Sequence, residues 1–185
     1  MRIVGGALRG RRFPAPKGQG TRPTSERVRE ALASALEARG AIAGARVLDL
    51  FAGSGALAFE ALSRGAEHAV LVESDRKVQR GLKTSAEALG LSERITLRRD
   101  DLFSAKAAQA IGRIGPFDLV FADPPYARLA DLGPLLEGLA PALAEGALLV
   151  VERASQDTLP EHPFHAVTSY RYGDTAVDLL EPPNR

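Results

Sequence analysis

The 185-residue chain contains no cysteine. That absence excludes disulfides and thiolate metal sites, and it is compatible with a reducing, cytoplasmic setting. Histidine is scarce. His68, His162 and His165 are the only three, and none sits among carboxylates at metal-ligand spacing. No structural or catalytic metal is therefore expected. No apolar run is long enough to cross a bilayer, and the first residues lack the apolar core of a signal peptide. No membrane partner is expected either. There is no internal repeat and no low-complexity segment. Hydrophobic residues make up 45% and charged residues 25%, a balance that supports a folded core. The length suits one domain with a short appendage, and nothing in it demands more than a monomer.

The net charge of +1 conceals an asymmetry. Among residues 1–30, Arg2, Arg9, Arg11, Arg12, Lys17, Arg22, Arg27 and Arg29 face only Glu26 and Glu30. The rest of the chain is mildly acidic. A basic start on an acidic body suggests a polyanionic partner, although a solvated tail has the same composition. Residues 1–24 read as a basic arm or hairpin, with Arg2-Ile3-Val4-Gly5-Gly6 pairing against Leu8 to Phe13. Residues 25–185 read as the main domain. A helix capped by Thr24 or Ser25 carries Val28, Ala31, Leu32, Ala35 and Leu36 on one face and stops at Gly40.

From residue 46 onward, strands and helices alternate. Strands are expected at 46–51, 69–73, 94–98, 117–122 and 146–152. Helices are expected at 55–64, 75–89, 103–111 and 129–143. The strands are apolar runs without polar alternation, as parallel strands covered on both faces should be. The fold class is therefore α/β, a doubly wound Rossmann-like sheet that is mostly parallel. Residues 166–172 and 175–180 flank Gly173-Asp174 and read as an antiparallel C-terminal hairpin.

One stretch organises the chain. Val47-Leu48-Asp49-Leu50 runs into Phe51-Ala52-Gly53-Ser54-Gly55, a strand followed by a glycine turn and a helix start. Such a turn lets a nucleotide-like cofactor approach the backbone closely. Gly53 and Gly55 with Ala58 also fit a relaxed dinucleotide fingerprint. Asp49 lies inside an apolar run. A buried carboxylate is costly without partners, so a local backbone or cofactor role is expected for it.

In open α/β sheets, ligands bind beyond the carboxyl ends of the strands. Glu73 ends the second strand and could accept both hydroxyls of a ribose, or simply be solvated. Asp100-Asp101-Leu102 ends the third. One of its two acids could accept from an adenine amine, or cap the next helix. The fourth strand ends in Asp123-Pro124-Pro125-Tyr126, the most specific feature of the chain. Asp123 can accept a hydrogen bond from an amino group. The prolines fix the backbone and offer carbonyls without competing N–H donors. Tyr126 can stack on a flat base.

These residues resemble the motifs of class I S-adenosylmethionine-dependent methyltransferases that act on an amino nitrogen. The N-terminal Arg2-Ile3-Val4-Gly5-Gly6 with Leu8-Arg9-Gly10-Arg11, the run Arg22-Pro23-Thr24 to Arg27-Val28-Arg29-Glu30, and Tyr172-Gly173-Asp174-Thr175 further resemble the RsmD family. Nearly the whole chain takes part. The resemblance implies methylation of a guanine N2 in 16S ribosomal RNA, as naked RNA or within the small ribosomal subunit. It implies that Asp49, Phe51, Ala52, Gly53, Ser54, Gly55, Glu73, and Asp101 with Leu102 hold S-adenosylmethionine, Asp101 being favoured over Asp100 by register. It also implies that Asp123 and the Pro124 carbonyl bind the guanine amine while Tyr126 packs on the ring. RNA contacts are expected from Arg9, Arg11, Arg12 and Arg22. Competing readings are transfer to adenine N6 of DNA or to a protein glutamine, a nicotinamide-dependent dehydrogenase, and a non-catalytic RNA-binding module.

Overall fold

The computed structural model describes residues 1–14, 25–104 and 106–183. Seven strands form one sheet. In chain order they are β1 (Arg46–Leu50), β2 (His68–Val72), β3 (Ile95–Arg98), β4 (Phe117–Ala122), β5 (Leu143–Ala154), β6 (His165–Tyr172) and β7 (Thr175–Glu181). Their spatial order is β3-β2-β1-β4-β5-β7-β6. The first five run parallel, and β7 lies antiparallel between β5 and β6. After β1 the chain moves outward through β2 and β3, then returns to place β4 on the other side of β1. The crevice between β1 and β4 is the switch point where such sheets bind ligands.

Two helical layers cover this sheet. α1 (Glu26–Ala38), α2 (Ala56–Ser63) and α3 (Arg76–Leu89) pack on one face, and α4 (Ala107–Gly112) and α5 (Gly133–Leu139) pack on the other. Strand side chains alternate between these layers. Val47, Leu119, Phe121 and Val150 join the first, while Leu48, Leu50, Val120 and Val151 join the second. Both faces are apolar, so the strands read as continuous hydrophobic runs. By the same alternation Asp49, Asp123 and Glu152 all lie on the α1–α3 face.

Three expected elements changed. The expected 103–111 helix is cut to Ala107–Gly112, because the Asp101 carboxylate and carbonyl turn the chain first by accepting from Phe103 and Ser104. The 129–143 helix is broken into a 3₁₀ stretch (Tyr126–Leu132), the short α5, and a 3₁₀ turn (Ala140–Ala142). Pro134 and Pro141 lack the N–H that would continue a helix from the preceding turn, so each restarts one. β5 begins at Leu143 rather than 146, with an irregular register against Phe117–Leu119 and a left-handed Gly146 at φ +73°.

Residues 1–14 share the body's core. Arg2 and Arg12 form a single antiparallel bridge, and Ile3 and Phe13 are buried. The Phe13 ring meets Phe59 of α2 edge-on at 5.4 Å. The anchor is Glu60, itself buried in α2. Its carboxylate accepts from Val4 N–H at 3.0 Å, Gly5 N–H at 2.7 Å and Arg64 Nε at 2.9 Å. Arg64 also pairs with Glu37. Ser63 Oγ adds a bond to the Gly5 carbonyl and accepts from Leu8 N–H. A Cβ on Gly5 would fall 2.0 Å from Arg64 Nη2, so the guanidinium fills the space that glycine leaves, and a Cβ on Gly6 (φ +73°) would fall 2.1 Å from the Ser63 carbonyl oxygen. Glu60→Ala would leave two backbone donors without their acceptor and Arg64 Nε without its carboxylate, with Glu37 still paired to the guanidinium. A loss of about 3 kcal/mol is expected in urea unfolding. A loss under about 0.5 kcal/mol would show that the carboxylate does not hold the segment.

Candidate active site

The glycine turn is shaped by three left-handed residues. Phe51 (φ +61°), Gly53 (φ +51°) and Gly55 (φ +74°) reverse the chain between β1 and α2. Phe51 is the only described non-glycine residue with positive φ. A bulky side chain in that region costs about 1–3 kcal/mol, and such strain concentrates at functional turns. The sequence gives no sign of it, since Phe51 reads as the end of a strand. Ala52 N–H donates to the Val72 carbonyl at 2.9 Å, which ties the turn to β2. Gly55 starts α2 without a side-chain cap. A Cβ on Gly55 would lie 2.6 Å from Phe59 and 2.7 Å from Leu82. Glycine is therefore needed there for space as well as conformation.

Glu73 stands beside this turn. Its Oε2 accepts from Gly53 N–H at 3.1 Å and its Oε1 from Asp75 N–H at 2.9 Å. Asp75 caps α3 through the N–H groups of Lys77 and Val78, which lower its pKa. Gln79 Nε2 bridges the carbonyls of Glu73 and Arg98, fixing the ends of β2 and β3 relative to each other. The two acids after β3 differ. Asp100 is paired with Arg98 Nε at 2.8 Å. Asp101 is exposed, with one oxygen accepting from Phe103 N–H at 3.1 Å. Leu102 is buried in the layer of α4 and α5.

At the end of β4, Asp123 is half-buried, Pro124 is buried and Tyr126 is 45% exposed. Tyr126 is the one large hydrophobic residue so exposed among the described residues. Asp123 has two further carboxyl groups around it, those of Glu152 and Asp49. Its carboxyl is pushed well above the ordinary range by burial first, then by the negative charges of Glu152 and Asp49. Asp49 is fully buried and rises from 3.8 to about 7. Burial is the main cause and Glu73 adds to it, while a 3.3 Å bond from Ala58 N–H opposes it. The parallel register sets Ala122 beside Val151, so Asp123 and Glu152 are neighbours on adjacent strands. Carboxylates crowded under a switch point favour a cationic ligand. They disfavour the pyrophosphate of a nicotinamide dinucleotide.

Asp49, Phe51 to Gly55, Glu73 and Asp123 thus converge on one crevice. Arg9, Arg11 and Arg12 lie elsewhere, on the docked N-terminal segment. Arg9 and Arg12 are exposed, whereas Arg11 donates to the carbonyls of Ala88 and Leu89 at the end of α3. Arg22 lies outside the described residues. Two features went unread in the sequence. Glu152 follows the apolar run Leu148–Val151 as Glu73 follows Ala69–Val72, and that parallel could have revealed it. Phe103 packs on Phe51 at 5.3 Å and carries the Arg128 guanidinium 4.0 Å over its ring. No motif marks that stack.

The profile of the family described as Conserved hypothetical protein 95 matches residues 1–181. Ribosomal RNA small subunit methyltransferase D of Escherichia coli (strain K12) is 41% identical over 166 residues, covering 88% of this chain and 79% of that protein. This chain belongs to the RsmD family of class I S-adenosylmethionine-dependent methyltransferases. YlbH of Bacillus subtilis (strain 168) is similar over 98% of both chains, at 37% identity. A solved structure of a hypothetical protein from Thermus thermophilus superposes with a TM-score of 0.80 and 35% identity, covering 98% of this chain and 99% of that one. Family membership brings S-adenosylmethionine as the cofactor of the class. It also agrees with the charge of the crevice, since the sulfonium and ammonium of S-adenosylmethionine are cations.

Proposed function

We propose that this protein transfers a methyl group from S-adenosylmethionine to the exocyclic N2 amine of a guanine in 16S ribosomal RNA. The observation that carries this reading is Asp123-Pro124-Pro125-Tyr126 at the carboxyl end of β4, facing the glycine turn across the switch point. The small-subunit RNA substrate follows the name of the E. coli relative, a ribosomal RNA small subunit methyltransferase.

The site residues divide into two groups. The backbone of Phe51 to Gly55 and the carboxylate of Glu73 hold the nucleoside, with Asp101 and Leu102 at the adenine. Asp49 braces α2 through Ala58 and supplies negative charge beneath the cofactor. When bound, S-adenosylmethionine supplies a methyl group already activated by a positive sulfur. Asp123 and the Pro124 carbonyl accept the two N–H bonds of the guanine amine. That amine is a poor nucleophile because its lone pair is delocalised into the purine. Two acceptors favour a more tetrahedral nitrogen aimed at the methyl carbon, so catalysis is largely positioning and charge stabilisation. The raised basicity of Asp123 suits it to take the departing proton, directly or through water. Tyr126 packs on the ring. The base must leave its stack, at roughly a few kcal/mol, and phosphate contacts from Arg9 and Arg12 help offset that cost.

The test is methyl transfer from labelled cofactor to small ribosomal subunits lacking their native methylation. Label on N2 of a single guanine is expected, and none with Asp123→Ala. Label on DNA or protein instead would overturn the substrate while keeping the cofactor. Cofactor binding without transfer to any acceptor would favour a binding module.

A further inference from the structure

The function just proposed leaves one strongly charged surface unused. α3 buries Leu82, Ser85, Ala86 and Leu89 against the core. Its opposite side presents Arg76, Lys77, Arg80 and Lys83, all exposed. None of these four takes part in an ion pair among the described residues. The acids on this side are Asp75, whose carboxylate is engaged in capping the helix, and Glu87 in the last turn.

The stripe is connected at both ends. Its start adjoins the active site, because Asp75 N–H donates to Glu73. Its far end adjoins the basic N-terminal segment. Arg11 clasps the Ala88 and Leu89 carbonyls at 2.7 and 3.0 Å, and Ser85 Oγ donates to the Pro14 carbonyl at 2.9 Å. Arg9 and Arg12 are exposed on that same segment. Six cations from two distant parts of the sequence therefore flank one helix that leads to the crevice. A membrane surface would need large apolar side chains among them. The outward side instead offers Thr84, Glu87 and Ala88.

We propose that the outer side of α3, with Arg9 and Arg12, is a track for the sugar–phosphate backbone flanking the target guanine. This rests on the ribosomal RNA reading above. The contacts are to phosphate and carry no base specificity. They set the register of the RNA while Asp123 and Tyr126 receive the base.

The test uses the full chain with Arg76, Lys77, Arg80 and Lys83 all changed to Gln. Binding to the small-subunit RNA is measured across salt concentrations, alongside steady-state methyl transfer. The slope of log affinity against log salt is expected to fall by about 3, from roughly 0.7 for each lost contact to single-stranded RNA. KM for RNA is expected to rise at least about tenfold at moderate salt, with kcat and cofactor affinity unchanged. Glu87→Lys, which adds a cation to the same side, is expected to steepen the slope. If the wild type methylates RNA and the quadruple variant matches its slope and KM, the track is wrong and the function stands. If the wild type neither binds nor methylates RNA, the function falls and the track with it. Weakened cofactor binding with an unchanged KM for RNA would assign the four residues to the fold and overturn the track.

Discussion

Asp123→Ala is expected to lower kcat for methyl transfer by about a thousandfold or more, while the Kd for S-adenosylmethionine changes by less than about threefold. The magnitude combines a lost acceptor for the amine with a lost destination for its proton, each in the range of about 10²–10⁴-fold. The division of labour follows from position. Asp123 follows β4, whereas the turn and Glu73 follow β1 and β2. The carboxyl is already destabilised by burial and by Glu152 and Asp49, so removing it does not harm the fold. A group with a raised folded pKa favours the native state below its unfolded pKa and loses that advantage as pH rises through the folded value. At neutral pH the variant should therefore be at least as stable as the wild type in thermal unfolding. Asp123→Asn separates the two roles. It keeps an acceptor but cannot take a proton, so it should retain more activity than Ala. Isothermal titration with cofactor and single-turnover transfer to RNA check the split. A tenfold or greater loss of cofactor affinity would place Asp123 in the cofactor site instead.

The sequence disclosed the parts of this protein whose physics is local. Apolar runs of strand length, a glycine turn and acids at strand ends each depend on a few neighbouring residues. They were legible, and so was the doubly wound sheet that they build. Electrostatic crowding was not, because Asp49, Glu73, Asp123 and Glu152 are far apart in the chain and meet only through strand order. Glu60 was hidden for the same reason. It sits in a helical stretch at a position that suits an exposed acid, yet it is buried because residues 4 and 5 supply donors from the far end of the chain. The N-terminal charge was legible as charge. Its docking was not, since that depends on Phe13 meeting Phe59 and on space left by Gly5. Arg11 shows the limit well. As one arginine among several it reads as a phosphate contact, but two of its nitrogens hold the end of α3.

Asp49→Asn should expose the strain that the cofactor relieves. Burial raises the Asp49 pKa from 3.8 to about 7, so the folded protein binds this proton more tightly than the unfolded chain does. Stability from this group is present below about pH 4 and is lost as pH rises to about 7, a difference of about 4 kcal/mol. The Asn variant keeps an oxygen to accept from Ala58 N–H and has no charge to bury. Without cofactor it should be more stable than the wild type at pH 8, and the two should converge toward pH 4. Binding reverses the order. A cationic cofactor favours the ionised carboxylate, so wild-type affinity should rise between pH 5 and 8 and binding should release protons. The variant should bind more weakly at pH 8 and release fewer protons. Urea unfolding at several pH values tests the first half, and calorimetry in two buffers of different ionisation enthalpy tests the second. A variant that keeps the wild-type pH dependence in both would move the titration from Asp49 to Asp123. In that case the negative charge that attracts the cofactor would reside on the substrate side of the crevice.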